Sequence, residues 1–146
     1  MKLEEIAEAA DRLSLEDPDW GLVAAGLGDA LEAELAGPGV MERVARGIAS
    51  SAERMGCSYL VGASPTGDRI AAVASVLSGN GLGYLTGSPP LEGSIGIVEG
   101  FVATGWGIRY KAEQLRRLGA TEVIAFIIAS GGSADLHDVV DEIVVS

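Results

Sequence analysis

The chain has 146 residues, 48% of them hydrophobic and 21% charged, which suits one domain with a proper core. Its formal net charge is −11, and its 10 Lys and Arg never cluster beyond Arg116-Arg117, so neither nucleic acid nor an anionic membrane is an expected partner, since both need a basic face. A single cysteine, Cys57, excludes an intramolecular disulfide and fits a reducing compartment. The opening MKLEEIAEAADRL is amphipathic and acidic, unlike a secretory signal, and the longest apolar run, residues 123–129, is too short to span a bilayer. A cytoplasmic protein is the expectation. Aromatics make up only 5%, so the core must be aliphatic, and 21 glycines point to loops where backbone comes close to a ligand.

Residues 1–13 read as a helix, with Leu3, Ile6, Ala10 and Leu13 on one face and Glu4, Glu5, Glu8 and Asp11 off it. Asp17-Pro18-Asp19 breaks it. Leu27, Leu31 and Leu35 support a second helix, stopped by Gly37-Pro38-Gly39. Residues 1–37 thus form a helical extension that carries no recognisable chemistry, and packing or dimerisation is its expected role. A third helix over residues 40–55 shows Val40, Val44, Ile48 and Ala52 at regular steps and ends at Gly56.

From there strands and helices alternate. A strand over residues 58–61 leads through the turn 62–67 to an apolar helix over 68–77, closed by Ser78-Gly79-Asn80-Gly81. A strand over 82–86 and a helix-free connection over 87–93 follow. Next come a strand from Ile95, its helix, a strand over 123–129, a Gly131-Gly132-Ser133 loop and a last strand over 142–145. Such alternation predicts an α/β fold: a mostly parallel sheet with right-handed crossovers and helices on both faces, preceded by the N-terminal helices. No linker divides residues 1–146.

The stretch that organises the chain is IGIVEGFVATGWG, residues 95–107. Ile95, Gly96, Ile97 and Val98 form a buried-strand signal, and the acid Glu99 stands at its end. The turn Ala103, Thr104, Gly105, Trp106, Gly107 precedes a helix from Ile108 with Ala112, Leu115 and Leu118 at helical spacing. A strand, a small-residue turn and a helix aim several backbone N–H groups and the positive end of a helix dipole at one spot, which suits a phosphate.

Other signatures fail. Residues 62–67 have P-loop glycine spacing, but Asp68-Arg69 stands where Lys-Ser/Thr is required. Gly105-Trp106-Gly107 begins a dinucleotide fingerprint that Tyr110 breaks at the third glycine. His137 among Asp135, Asp138 and Asp141 is one His too few for zinc, and a solvated loop is the better reading. Cys57 beside a strand reads as a small core residue. Ser64 lacks both a nucleophile-elbow context and a histidine partner.

The stretch 95–107, followed by IRYKAEQLRRLGATEVIAFII, resembles the signature of type I phosphoribosyltransferases, particularly the orotate type. YLVGASPTGDRIAAVASVL is similar to that family's first strand, pyrophosphate loop and helix, so the resemblance spans residues 40–129. It implies that Ala103, Thr104, Gly105, Trp106 and Gly107 wrap the 5′-phosphate of phosphoribosyl pyrophosphate, that Glu99 holds a ribose hydroxyl, and that Ser64, Pro65, Thr66 and Gly67 form the pyrophosphate loop, with magnesium accompanying the ligand. A homodimer is the expected assembly. Three departures stand out. Gly100 replaces the family's second acid, the mobile lysine loop is replaced by the short Gly87-Ser88-Pro89-Pro90-Leu91-Glu92-Gly93, and Trp106 is bulky for a phosphate loop. Only Arg69 and Arg109 are candidate cations near the site, and neutralising a departing pyrophosphate is the main electrostatic task of such a transfer. The expectation is therefore a phosphoribosyltransferase-like protein that binds a phosphorylated ribose or nucleotide with weak or lost transferase activity and no assigned catalytic residue. An active orotate-like enzyme of nucleotide metabolism, and an assembly protein with a vestigial pocket, are the alternatives.

Overall fold

The structure, a computed structural model, describes residues 1–79, 81–86, 91–131 and 135–145. Most of the expected connection over 87–93, Asn80, and Gly132-Ser133 lie outside the described residues. Among the described residues, five strands form one sheet: β1 (Cys57–Gly62), β2 (Gly83–Tyr84), β3 (Ser94–Val102), β4 (Glu122–Ser130) and β5 (Glu142–Val145). Their order is β2-β1-β3-β4-β5, and every pairing is parallel. The helices are α1 (Leu3–Asp11), α2 (Trp20–Leu35), α3 (Val40–Arg54), α4 (Pro65–Leu77) and α5 (Trp106–Arg117).

Period-two alternation in β4 sets the layers. Ile124, Phe126 and Ile128 pack with the buried faces of α1, α2, α3 and α4. Val123, Ala125 and Ile127 pack with Ile108, Ala112 and Leu115 of α5 and with Leu136 and Val140 of the segment before β5. A strand apolar on both faces is what a parallel sheet covered on both sides demands. The expected α/β architecture with an N-terminal helical extension is therefore present.

Element ends differ from expectation in ways that matter for the site. β3 runs on to Val102 because β4 is equally long and pairs with it as far as Val102↔Ser130. Glu99 consequently lies inside the strand rather than at its end. β1 stops sooner, with Gly62 opposite Val98, so Glu99 is the first β3 residue beyond β1's reach. α4 starts at Pro65, three residues ahead of the expected Asp68, because Ser64 caps it and Pro at the first helical position is pre-organised for the turn. α5 likewise starts at Trp106 behind Gly105, whose φ of +84 is a left-handed value that glycine adopts without strain.

The topology locates a crevice. From β1 the chain goes through α4 to β2 on one side, then crosses to β3 on the other. Helix α4 covers one face and α5 the opposite face. Between the carboxyl ends of β1 and β3 the connections therefore part, and in open α/β sheets ligands bind at such a switch point.

Candidate functional site

Two turns meet at that crevice, the one after β1 and the one after β3. A Cβ placed on Gly107 would lie 3.4 Å from the carbonyl oxygen of Ala63, so the first turn of α5 sits against the β1 turn. Gly67 brings α4 close to β3: a Cβ there would come within 2.1 Å of the Val98 carbonyl oxygen. Only glycine allows that approach.

Ser64 and Glu99 join the two turns. The Ser64 hydroxyl accepts from the Gly67 N–H at 3.1 Å, capping α4, and donates to Glu99 Oε1 at 2.5 Å. The Gly100 N–H also donates to Oε1, at 2.8 Å. Among the described residues Glu99 Oε2 accepts no hydrogen bond. The side chain is held through one oxygen while the other stays available. Glu99 is 9% exposed, and burial pushes its carboxyl above the ordinary carboxylate value, opposed by the Ser64 and Gly100 bonds. A buried carboxyl with a perturbed proton affinity, beside two cavities, is a functional-site candidate on physical grounds.

The turn after β3 supplies donors. Gly105 caps α5, and the Arg109 N–H closes the first helical bond to its carbonyl at 2.9 Å. The Trp106 N–H makes a long 3.4 Å contact with Thr104 Oγ1. The N–H groups of Thr104, Gly105, Gly107 and Ile108 have no partner among the described residues. Together with the positive end of a helix of 12 residues, this is a geometry that suits an anion, a candidate cradle. It opens on a cavity of about 170 Å³ lined by Ala103, Thr104, Gly105, Trp106 and Gly107 and by Glu99. The structure thus brings together all five turn residues and the acid singled out in the sequence. Leu136, buried under the turn, fixes it from below: a Cβ on Gly105 would lie 2.6 Å from its Cδ2.

The turn after β1 is poorer in donors than its glycines suggest. Gly62 N–H donates to Asp68 Oδ1 at 3.1 Å, Ala63 N–H to Val98 O at 3.1 Å and Asp68 N–H to Ser64 O at 2.8 Å. Pro65 has no N–H and Gly67 has spent its own on Ser64. Of Ser64, Pro65, Thr66 and Gly67, only Ser64 and Thr66 keep a backbone donor unpartnered among the described residues. Asp68, at the P-loop lysine's place, satisfies Gly62 with the chain's own anion.

Helix α2 takes part in the site, which periodicity alone did not reveal. Leu31 packs over Gly100, where a Cβ would lie 2.8 Å from Leu31 Cδ2 and 3.0 Å from Thr66 Cγ2. The position of the resemblance's second acid is therefore a contact point for a helix. Glu32 accepts from Thr66 Oγ1 and from Arg69 Nη2, the latter at 2.7 Å. The Thr66 bond above all holds the Glu32 carboxyl below its usual range, opposed by burial and helped by Arg69. A second cavity of about 200 Å³ lies between α2 and the crevice, and Glu99 and Phe101 line both cavities.

Neither candidate cation is free. Arg69 is engaged by Glu32, and Arg109 donates to Asp138 at 2.6 Å and to the Asp135 carbonyl at 3.1 Å. Asp141 accepts from Arg116 and from the Val123 N–H. The acids around His137 thus pin the segment before β5 to α5 and β4, and no cluster of three or more metal-ligating side chains occurs among the described residues. Cys57 is half-buried, and desolvation raises its thiol to about 11, an unreactive setting. Trp106 points outward, 73% exposed, so it rims the cradle and does not fill it.

No protein-family model matches the chain, and no curated protein matches it. Among solved structures it is similar to a purine phosphoribosyltransferase from Pyrococcus horikoshii Ot3, with a TM-score of 0.58 over 71% of this chain and 80% of that one. The chain has a phosphoribosyltransferase-like fold. Identity over that match is 18%, so the likeness is one of fold, and it does not extend to orotate-type specificity. Among the described residues, no helix is long and apolar enough to cross a membrane.

Proposed function

We propose that this phosphoribosyltransferase-like protein binds a phosphorylated ribose or nucleotide at the β1/β3 switch point, with its transfer chemistry weak or lost. The observation that carries the reading is the set of four unpartnered N–H groups, among the described residues, at the start of α5, opening on a cavity that Glu99 also lines. The 5′-phosphate takes the amides of Thr104, Gly105, Gly107 and Ile108, and Glu99 Oε2 accepts a ribose hydroxyl. The similar solved structure bears the name of a purine phosphoribosyltransferase, which supports a ligand of this class. Magnesium keeps several waters and uses few protein carboxylates when it accompanies phosphates. Among the described residues, Glu99 is the carboxylate lining the cradle that would hold the ion, which would neutralise ligand charge.

Titration calorimetry with ribose 5-phosphate and with inorganic phosphate tests the reading. Both should bind, and ribose 5-phosphate more tightly. Thr104→Ala should cost only about 1 kcal/mol, since most donors are backbone amides. Gly105 is a poor test site, because any side chain there meets both the left-handed backbone and Leu136. Absence of heat with both ligands, together with no thermal stabilisation at saturating concentrations, where a ligand at about 100 times its Kd should add roughly 2.7 kcal/mol, would remove the phosphate site from the account.

A further inference from the structure

Helix α5 has two unlike sides. Ile108, Ala112 and Leu115 face the sheet and are buried. On the opposite side Trp106, Tyr110, Glu113 and Arg117 follow at steps of four, three and four residues, which makes them one ridge. Trp106 is 73% and Tyr110 66% exposed, and the side chains of Glu113 and Arg117 are more than half exposed. The Tyr110 hydroxyl has no partner among the described residues, and Arg117 reaches Glu113 only loosely, at 3.8 Å. A tryptophan, a tyrosine and an arginine in line are the residue types that concentrate at the centres of protein–protein interfaces.

We propose that this ridge docks on a second copy of the chain, with the two α5 helices antiparallel across a two-fold axis that passes between Lys111 and Ala112. The ridge is self-complementary, because its spacing reads the same in both directions. An antiparallel partner therefore sets Tyr110 against Glu113 of the second copy and Trp106 against Arg117 of the second copy. The tyrosine O–H donates to the carboxylate, and the guanidinium lies on the indole face, the best aromatic partner for a cation. Two-fold symmetry makes each pair twice. A parallel arrangement would instead oppose Glu113 to Glu113 and Arg117 to Arg117, which like-charge repulsion disfavours. The net charge of −11 does not bar the approach on this side, where Arg109 and Arg116 are answered by Asp138 and Asp141, and Arg117 by Glu113. At 1.5 Å per residue the ends of the ridge lie about 16 Å apart. The long side chains of Trp106 and Arg117 stand at those ends, where crossing helices diverge. Covering four aromatic side chains at roughly 150–250 Å² each places the contact at the low end of specific interfaces, which suits a reversible dimer. The contact does not depend on what the cradle binds.

Exchanging the central pair provides the test. Sedimentation equilibrium of the wild type without ligand should show a monomer–dimer equilibrium with a dissociation constant on the order of 10 μM. Tyr110→Glu brings two carboxylates together twice per dimer and should raise that constant about 10-fold or more. The double variant Tyr110→Glu, Glu113→Tyr restores the facing pair with its members exchanged, and should return the constant close to the wild-type value. It also removes the loose Glu113–Arg117 pair, but a pair so exposed contributes little to the helix. Leu22→Glu, at an 80% exposed position on α2, is the control for added charge and should leave the dimer unmoved. All four positions are on the surface, so urea midpoints near wild type confirm that every variant folds. A dimer unmoved by Tyr110→Glu, one that the exchange fails to restore, or one weakened equally by Leu22→Glu overturns the proposal. A monomer at every concentration overturns it too and leaves the ridge to a partner of another kind. Ribose 5-phosphate binding by the wild type, measured apart, bears on the cradle alone.

Discussion

Glu99 is in tension with its surroundings at neutral pH. Burial disfavours its ionised form, and two donors on Oε1 offset that only in part, so the folded-state value lies above the ordinary one near 4.5. For an acid shifted upward, the folded state is favoured below the unfolded value and loses that stability as pH rises through the folded value. Above that window the charged carboxylate weighs against folding. Glu99→Gln, neutral and of the same shape, should therefore raise the unfolding midpoint at pH 7, with the difference shrinking as the pH falls. The same variant should lose about 1–3 kcal/mol of affinity for ribose 5-phosphate, the range for hydrogen bonds to charged groups, while inorganic phosphate binding is unmoved. Opposite signs for stability and affinity mark a side chain kept for binding at the expense of folding. A midpoint lowered at pH 7, or affinities that do not respond, would reduce Glu99 to a structural acid that ties two turns together.

Among the elements, α2 is the one whose role the sequence hid. Its leucines at 27, 31 and 35 announce a buried face, but periodicity cannot say against what. The partners Gly100 and Thr66 lie far along the chain, and only the fold brings them under Leu31 and Glu32. The early start of α4 was legible in principle, since Ser64-Pro65 is a cap followed by proline at the first helical position, though the glycines on either side suggested a loop. The run of β3 past Glu99 was not, because strand length there is decided by pairing with β4. The apolar part of the α2 contact should outweigh the polar part. Leu31 is 2% exposed, and Leu31→Ala should cost about 2–5 kcal/mol in urea denaturation. Glu32 joins Arg69 with both side chains largely in solvent, where such pairs are worth about 0–1 kcal/mol, and the Thr66 bond adds about 1. Glu32→Ala should accordingly cost roughly 1–2 kcal/mol at pH 7. Because the folded Glu32 value is depressed, that contribution is present above 4.5 and fades as pH falls through the folded value. An Glu32→Ala penalty equal to that of Leu31→Ala would make the ion pair, not the leucine, the anchor of α2.

At the scale of the whole molecule, the alternation of apolar runs with helical segments made the layers legible, and the cradle stood out because its strand, turn and helix are contiguous. Strand order was not legible, since the crossing from β2 to β3 is a non-local choice, and it is that crossing which sets Ser64 beside Glu99. Charge is a whole-molecule property too. With a net charge of −11 and both nearby arginines paired to acids, the crevice offers amides but no free cation among the described residues. Backbone dipoles suffice for one phosphate at a helix start. A pyrophosphate brings further negative charge to the β1 turn, where Ser64 and Thr66 hold the remaining unpartnered amides and Glu32 and Glu99 stand close by. Phosphoribosyl pyrophosphate should therefore bind no tighter than ribose 5-phosphate when magnesium is absent, and gain on its addition as the ion offsets the repulsion. Product formation from phosphoribosyl pyrophosphate and a free base should stay far below the roughly 10 per second typical of enzymes, because the departing pyrophosphate finds no unpaired cation among the described residues to stabilise it in the transition state. Turnover at that typical rate, or a pyrophosphate ligand held at least 10-fold more tightly without magnesium, would show that a basic group reaches the crevice during the reaction.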